Sequence, residues 1–327
     1  MTEMTLIQAI NEALKEEMSR DETITVMGED VGVDGGVFRA TQGLVDEFGE
    51  KRVMDTPISE AGIVGMGVGM AINGLKPVIE IQFSGFIYPA FQEIISHVSR
   101  IRNRSRGRFT CPMVIRSPYG GGINALEHHS ESMEAMYAHI PGLKVVIPST
   151  PADAKGLLTA AIRDPDPVLF LEPKRVYRAF KDEVPEGEHV EEIGKAKVVQ
   201  EGTQVTVVSW GAMMHTTLEA IKELTRKGVS CEVIDLRTIM PWDVETVVES
   251  VKKTGRLVVV HEATRTAGFA AEIFATVNEE ALMYMQAPMK RVTGYDIIMP
   301  YLKYEKLQLP SVDRVIAGIK EVVDFES

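Results

Sequence analysis

Apolar residues recur at two periods along this chain, and the switching between those periods lays out the elements. Leu6, Ile7, Ile10, Ala13 and Leu14 share one helical face, so the chain opens with an amphipathic helix. Short β-type runs follow at 24–27, 78–83, 113–115, 143–147 and 168–171. Between the last two, a polar cap and a proline at 149–151 start a helix that runs to Ile162. The stretch 181–194 breaks the pattern with Pro185, Gly187 and several acidic residues, and it reads as a linker. Beyond it the alternation restarts. Strands are expected at 205–208, 231–234 and 257–260, with helices at 212–227, after Pro241, near 269–282 and over 311–322. Strand and helix alternate on both sides of the linker, which predicts two α/β domains, 1–180 and 195–327. Each is built on an open, mostly parallel sheet covered on both faces.

One helix is unusual in composition. Starting near Glu60, it places Gly62, Gly65 and Gly69 on one face, with Gly67 as a fourth glycine. Each glycine costs about 1 kcal/mol of helix propensity against alanine. Such a face suits close backbone packing, either inside the domain or across a subunit interface. Gly65-Met66-Gly67 does not follow a strand and lacks the third glycine at the right offset, so a dinucleotide fingerprint is a poor reading.

Composition narrows the setting. Of 327 residues, 45% are hydrophobic and 25% charged, as in an ordinary globular protein. The 47 acidic and 35 basic side chains leave a net charge of −12, which argues against nucleic acid and suits a basic protein partner. Five arginines, Arg100, Arg102, Arg104, Arg106 and Arg108, could form a phosphate- or RNA-binding stripe. Without interleaved aromatics, a surface or inter-subunit salt-bridge segment is the better expectation. Cys111 and Cys231 fit neither a disulfide framework nor a zinc site, and a cytoplasmic location is expected. The longest apolar run, 61–72, falls well short of the roughly 20 residues needed to span a bilayer.

Chemistry enters through Asp55-Thr56-Pro57-Ile58-Ser59-Glu60 and the glycine helix after it. By position alone, Glu60 is a helix N-terminal carboxylate favoured by the helix dipole. The segment also resembles the thiamine-binding segment in the β subunits of thiamine-diphosphate-dependent 2-oxo acid dehydrogenases. The stretches 26–31, 80–91, 115–122, 129–130, 141–158 and 233–238 match that family in order and approximate spacing, over almost the whole chain. The resemblance implies a pyrimidine-binding domain followed by a transketolase C-terminal-like domain.

It also implies roles. Glu60 would hydrogen-bond N1′ of the aminopyrimidine and favour the imino tautomer. N4′ of that tautomer deprotonates the thiazolium, and the resulting ylid attacks the 2-oxo carbon. Ile58, Gln82 and Phe86 would line the pyrimidine pocket; Phe86 stands where some relatives have tyrosine. Glu29 would be the buried acid that carries protons between cofactors. On its own, His128-His129 is an ordinary loop pair after Gly120-Gly121-Gly122, a run that lets backbone approach a ligand closely. By register His129 matches the histidine that assists acyl transfer to the lipoyl arm; His128 receives no role. A monovalent-cation site, K+ in kind, would involve Met113, Val114, Ala161, Asp164 and Asp166.

The sequence contains no Gly-Asp-Gly and no Walker-type loop. The family's α subunit holds the diphosphate and Mg2+, so two α and two β chains are expected, with the active site between them. The lipoyl acyltransferase core would be a further partner. Lys174-Arg175-Val176-Tyr177-Arg178 and Ala287-Pro288-Met289-Lys290-Arg291 incline the substrate towards branched-chain 2-oxo acids, with pyruvate and acetoin enzymes as alternatives. A transketolase or deoxyxylulose-phosphate synthase fragment is disfavoured by the N-terminal methionine. A regulatory or RNA-binding protein built on the arginine stripe is the non-enzyme alternative.

Overall fold

In the computed structural model, which describes residues 1–326, the strands form two large sheets and one small ribbon. The first sheet runs, edge to edge, Thr238–Met240, Lys144–Val146, Val168–Pro173, Val114–Tyr119, Lys76–Glu80, Ile24–Gly28 and Val53–Asp55. All neighbours are parallel except the first pair. The chain lays Ile24–Gly28 down, adds Val53–Asp55 on one side, then crosses to add Lys76–Glu80 on the other. Strand order therefore reverses at Ile24–Gly28. In open α/β sheets such a reversal leaves a crevice beyond the carboxyl ends of the strands, where ligands bind.

The second sheet is ordered Lys290–Val292, Leu257–Val260, Val205–Ser209, Cys231–Asp235 and Lys197–Gln200, the last antiparallel. Its three inner strands, Leu257–Val260, Val205–Ser209 and Cys231–Asp235, are buried, and Ala212–Arg226 and Val312–Val323 close over one cluster of their side chains. The boundary read from composition separates two sequences but not two sheets. Thr238–Met240, from beyond the linker, supplies the antiparallel edge of the first sheet and covers Lys144–Val146. Within 181–194, Asp182–Val184 pairs with Thr2–Met4. The strand expected over 78–83 ends at Glu80, and a 3₁₀ segment takes over at Ser84–Ala90.

The glycine helix spans Glu60–Ile72. It buries Ile63, Val64, Gly67, Val68 and Ala71 and turns Gly62, Gly65 and Gly69 outward. A Cβ on Gly67 would press the Met113 sulfur at 3.0 Å, whereas one on Gly65 or Gly69 would meet nothing within 4 Å. The choice left open by the sequence is thereby made: the face lined by three glycines does not pack inside its own domain.

Candidate active site

The carboxyl ends of the central strands deliver the polar residues of the crevice. Ile24–Gly28 ends directly before Glu29 and Asp30, and Lys76–Glu80 leads into Gln82. After Val53–Asp55 the chain turns into the helix that begins at Glu60. Asp55 accepts backbone N–H bonds from Gly32 (2.6 Å) and Val33 (3.3 Å), which holds the loop beyond Asp30 over the strand ends. Gln82 Nε2 donates to Asp30 Oδ2 at 3.1 Å. Glu29 is buried, and that burial raises its carboxyl pKa; the negative charges of Glu60 and Asp30 push it further in the same direction. Of these three neighbouring carboxyl groups, Glu29 is the one biased towards holding its proton.

Ile58 does not join them. It is 84% exposed and Glu60 is only half-buried, so the pyrimidine pocket that Ile58 was expected to line is not closed by this chain.

His129 lies on the loop 120–131, against the 3₁₀ segment Ser84–Ala90 that follows Gln82. The Gly120 N–H donates to the Glu131 carbonyl at 3.0 Å and ties the loop's ends together. Ser84 Oγ donates to the same carbonyl at 3.0 Å. The imidazole packs edge-on to Phe83 (4.4 Å between ring centres) and Phe86 (5.1 Å). Both phenylalanine rings follow Gln82 in the chain, so the histidine packs on the segment that continues from that strand end. A Cβ on Gly85 would strike the His128 backbone, so only glycine lets Ser84–Ala90 approach the histidine turn this closely. Burial lowers the His129 pKa, with the charges of Lys174 and His128 acting in the same sense. The ring is held neutral near neutral pH, and its buried Nδ1 has no partner among the described residues. A neutral imidazole with a free ring nitrogen can accept a proton.

The three glycines before this loop approach protein rather than ligand. A Cβ at Gly120 would collide with the Glu262 carboxylate, and one at Gly122 with the Arg175 side chain. At Gly121 it would meet Met299 at 2.9 Å. Glu262 and Met299 belong to the second domain, so the expectation that the run opens backbone to a ligand is corrected. The run lets the second domain sit against the histidine loop.

Both halves of the chain match known families over most of their length. Residues 2–179 match the transketolase pyrimidine-binding domain and residues 194–315 the transketolase C-terminal domain. The chain is 55% identical over 322 residues to a pyruvate dehydrogenase E1 component subunit beta of Acholeplasma laidlawii, covering 98% of each. It is 50% identical over 325 residues to the subunit of that name from Bacillus subtilis (strain 168), covering 99% of this chain and all of the relative. The chain belongs to the β-subunit family of thiamine-diphosphate-dependent 2-oxo acid dehydrogenases. A solved structure described as a split-gene transketolase, an inactive β4 tetramer, superposes over 100% of both chains with a TM-score of 0.82 at 22% identity, which shows the shared fold.

Within this β-subunit fold, several residues expected to matter sit elsewhere. Around the expected cation site, the Met113 carbonyl accepts from Val168 N–H and the Ala161 carbonyl from Asp164 N–H. Asp164 is paired with the Lys144 ammonium at 2.5 Å, and Asp166 with Arg102 at 2.6 Å. A cation there would have to compete with Lys144. Val114 lies in the sheet beside these groups. Arg104 reaches back to the Ser96 carbonyl at 2.6 Å and the His97 ring at 3.2 Å, while Arg100, Arg106 and Arg108 are exposed around Ile101–Arg104.

The sequence reading missed a buried ion triad directly beneath the crevice. Arg116 donates to Glu80 at 2.9 Å and to both oxygens of Glu172 at 2.6 and 3.1 Å; all three are buried. The Tyr177 hydroxyl adds a bond to Glu172 at 2.5 Å. The available signal was a single charge in each of three neighbouring apolar strands: Glu80 stands opposite Arg116, and Glu172 two residues beyond Phe170, the partner of Arg116 on the other side. Among the described residues no three His, Cys, Asp or Glu side chains converge as metal ligands, and no helix is long and apolar enough to cross a membrane.

Proposed function

We propose that this chain is the β half of a dehydrogenase that decarboxylates pyruvate oxidatively and passes the acyl group to a lipoyl arm, active only with an α chain. What supports it is the strand reversal, whose carboxyl ends lead into Glu29 and Gln82, with Glu60 near enough for its charge to raise the Glu29 pKa and with Phe86 packed on His129. This donor set fits an aminopyrimidine: carboxyl groups that can share a proton with a ring nitrogen, an amide and an aromatic wall. Thiamine diphosphate, when bound, supplies the electron sink for loss of carbon dioxide. Glu60 holds the proton at the pyrimidine edge, and Glu29, whose carboxyl is biased towards its protonated form, can resupply it. Neutral His129 accepts and returns a proton during acyl transfer. The diphosphate and Mg2+ are assigned to the α chain, and the acyl acceptor to the lipoyl acyltransferase core. No K+ role is assigned to this chain.

Pyruvate replaces the branched-chain substrate suggested by sequence. The two stretches behind that suggestion lie in framework contacts: Lys174 bonds the Gly120 carbonyl, Arg175 the Ala212 carbonyl, Lys290 pairs with Glu321, and Arg291 bonds the Arg265 carbonyl. The relatives cited above carry the pyruvate name. The test is co-expression with the candidate α chain, then decarboxylation assays with thiamine diphosphate and Mg2+ on pyruvate and on branched-chain 2-oxo acids. Turnover by this chain alone would sink the half-site assignment. Faster turnover of branched-chain acids would restore the earlier substrate.

The bare glycine face fits a helix of another subunit, which is where we place the assembly contact. Gly65→Leu is expected to leave the isolated chain as stable as before or up to about 1 kcal/mol more stable, because helix propensity improves and nothing is struck. The same change should abolish the α–β assembly in size-exclusion chromatography. Normal assembly of the variant would place the contact elsewhere.

A further inference from the structure

We infer that Glu305 is a positioning residue for His129: from the second domain, its carboxylate clamps the root of the loop that presents the imidazole. The inference rests on the acyl-transfer role given to His129 above. Glu305 begins the short helix Glu305–Gln308 and is 1% exposed. One carboxylate oxygen accepts the Gly122 N–H at 2.6 Å, and the other accepts the Asn124 N–H at 2.5 Å. With its amide turned to satisfy its neighbours, the Asn124 side chain donates to Glu305 at 3.1 Å and to the Leu302 carbonyl at 3.2 Å. Gly122 (φ 98°) and Asn124 (φ 56°) both have left-handed backbone. Bends of this kind turn backbone N–H groups inward towards one anion. Here the anion is built into the fold, and it comes from a different domain than the loop.

The histidine end of the loop rests on the first domain: His129 packs on Phe83 and Phe86, and the His128 backbone abuts Gly85. The stretch 123–126 before it makes no strand pairing and precedes the Glu127–His129 turn and the Gly120–Glu131 closure. Lys174, buried at the same junction, bonds the Gly120 carbonyl and lies within the fields of Glu262, Glu305 and Glu131. The loop is thus pinned at its start by one carboxylate of the second domain and at its closure by the first domain. A shift of about 1 Å in a reacting group can cost on the order of 100-fold in rate, so a loosened clamp should be visible in the step His129 serves.

The test uses the assembled α–β enzyme carrying Glu305→Gln, which keeps the side chain's size but turns an amide N–H towards one of the two clamped N–H groups. Two measurements are made: hydrogen exchange of the backbone, and separate rates for decarboxylation with an artificial electron acceptor and for acylation of a lipoylated domain. The expected result is faster exchange confined to 120–131, lipoyl acylation down about ten-fold or more, and decarboxylation within about two-fold of the parent. Unchanged exchange, or equal loss in both reactions, overturns the proposal. If Glu305→Gln does not assemble, Asn124→Asp sets a like charge against Glu305 at an exposed position and must give the same pattern. His129→Asn separates the two ideas. If it does not lose lipoyl acylation selectively, the role of His129 fails, while the exchange data still decide whether Glu305 holds the loop.

Discussion

Glu60→Gln is expected to leave the α–β enzyme assembled and nearly inactive, with turnover down roughly 10²- to 10⁴-fold, the range that a positioned proton-transfer group contributes. Glutamine preserves the volume and a hydrogen bond but cannot share a proton with a ring nitrogen. Thiamine diphosphate affinity should change far less than turnover, because ring contacts and the diphosphate grip are untouched. A variant that keeps most of its activity would remove Glu60 from the mechanism. The isolated chain offers an independent readout. The Glu29 carboxyl pKa is raised in the fold, by burial first and then by Glu60. The folded state therefore binds that proton more tightly than the unfolded chain, and stability falls as pH rises from the ordinary carboxyl range through the raised value. Removing the Glu60 charge lowers the folded pKa, so this fall should be smaller in Glu60→Gln when denaturation is followed across that range.

Arg116→Met should destabilise the first domain by about 3–5 kcal/mol, the usual cost of removing one partner from a buried ion pair. Among the described residues the guanidinium is the only positive group bonded to Glu80 and Glu172, and both carboxyls are buried. Burial already pushes the Glu80 pKa up; without Arg116 it would rise further, and the neighbouring pair would repel. Denaturant melts at neutral pH measure the loss. It should shrink in acid, where the carboxyls take up protons, and when Glu80 and Glu172 are changed to glutamine in the same chain. A loss below about 1 kcal/mol, within the range of an exposed pair, would mean that the charges are not locked together beneath the crevice. Because Glu80 ends the strand that delivers Gln82, activity should fall with stability.

Particular residues show what could be read in advance. The amphipathic face of Leu6–Arg20, the proline-started helix Pro151–Arg163 and the runs Val168–Pro173 and Val205–Ser209 were legible because burial repeats at the element's own period. Glu60 was legible as a helix start, and the family supplied its chemistry. Arg116 was not, since one charge in an apolar strand reads as an interruption until two neighbouring strands bring Glu80 and Glu172 to it. Gly120-Gly121-Gly122 was legible as a place of close approach, but not what approaches: Glu262 lies 142 positions further along, counting from Gly120 to Glu262.

The sequence by itself determined the alternating α/β elements, the two-part organisation and the family, and through the family it proposed a helix-start glutamate and a distant histidine as site residues. Tertiary structure alone decided where the strand order reverses, which way the glycine face points, and that Glu305 and Glu262 of the second domain close on the histidine loop. The reason is one of range. Periodicity and turn chemistry record how each residue meets its near neighbours along the chain. The crevice, the ion triad and the clamp are contacts between segments far apart in sequence, and those exist only once the sheets have formed.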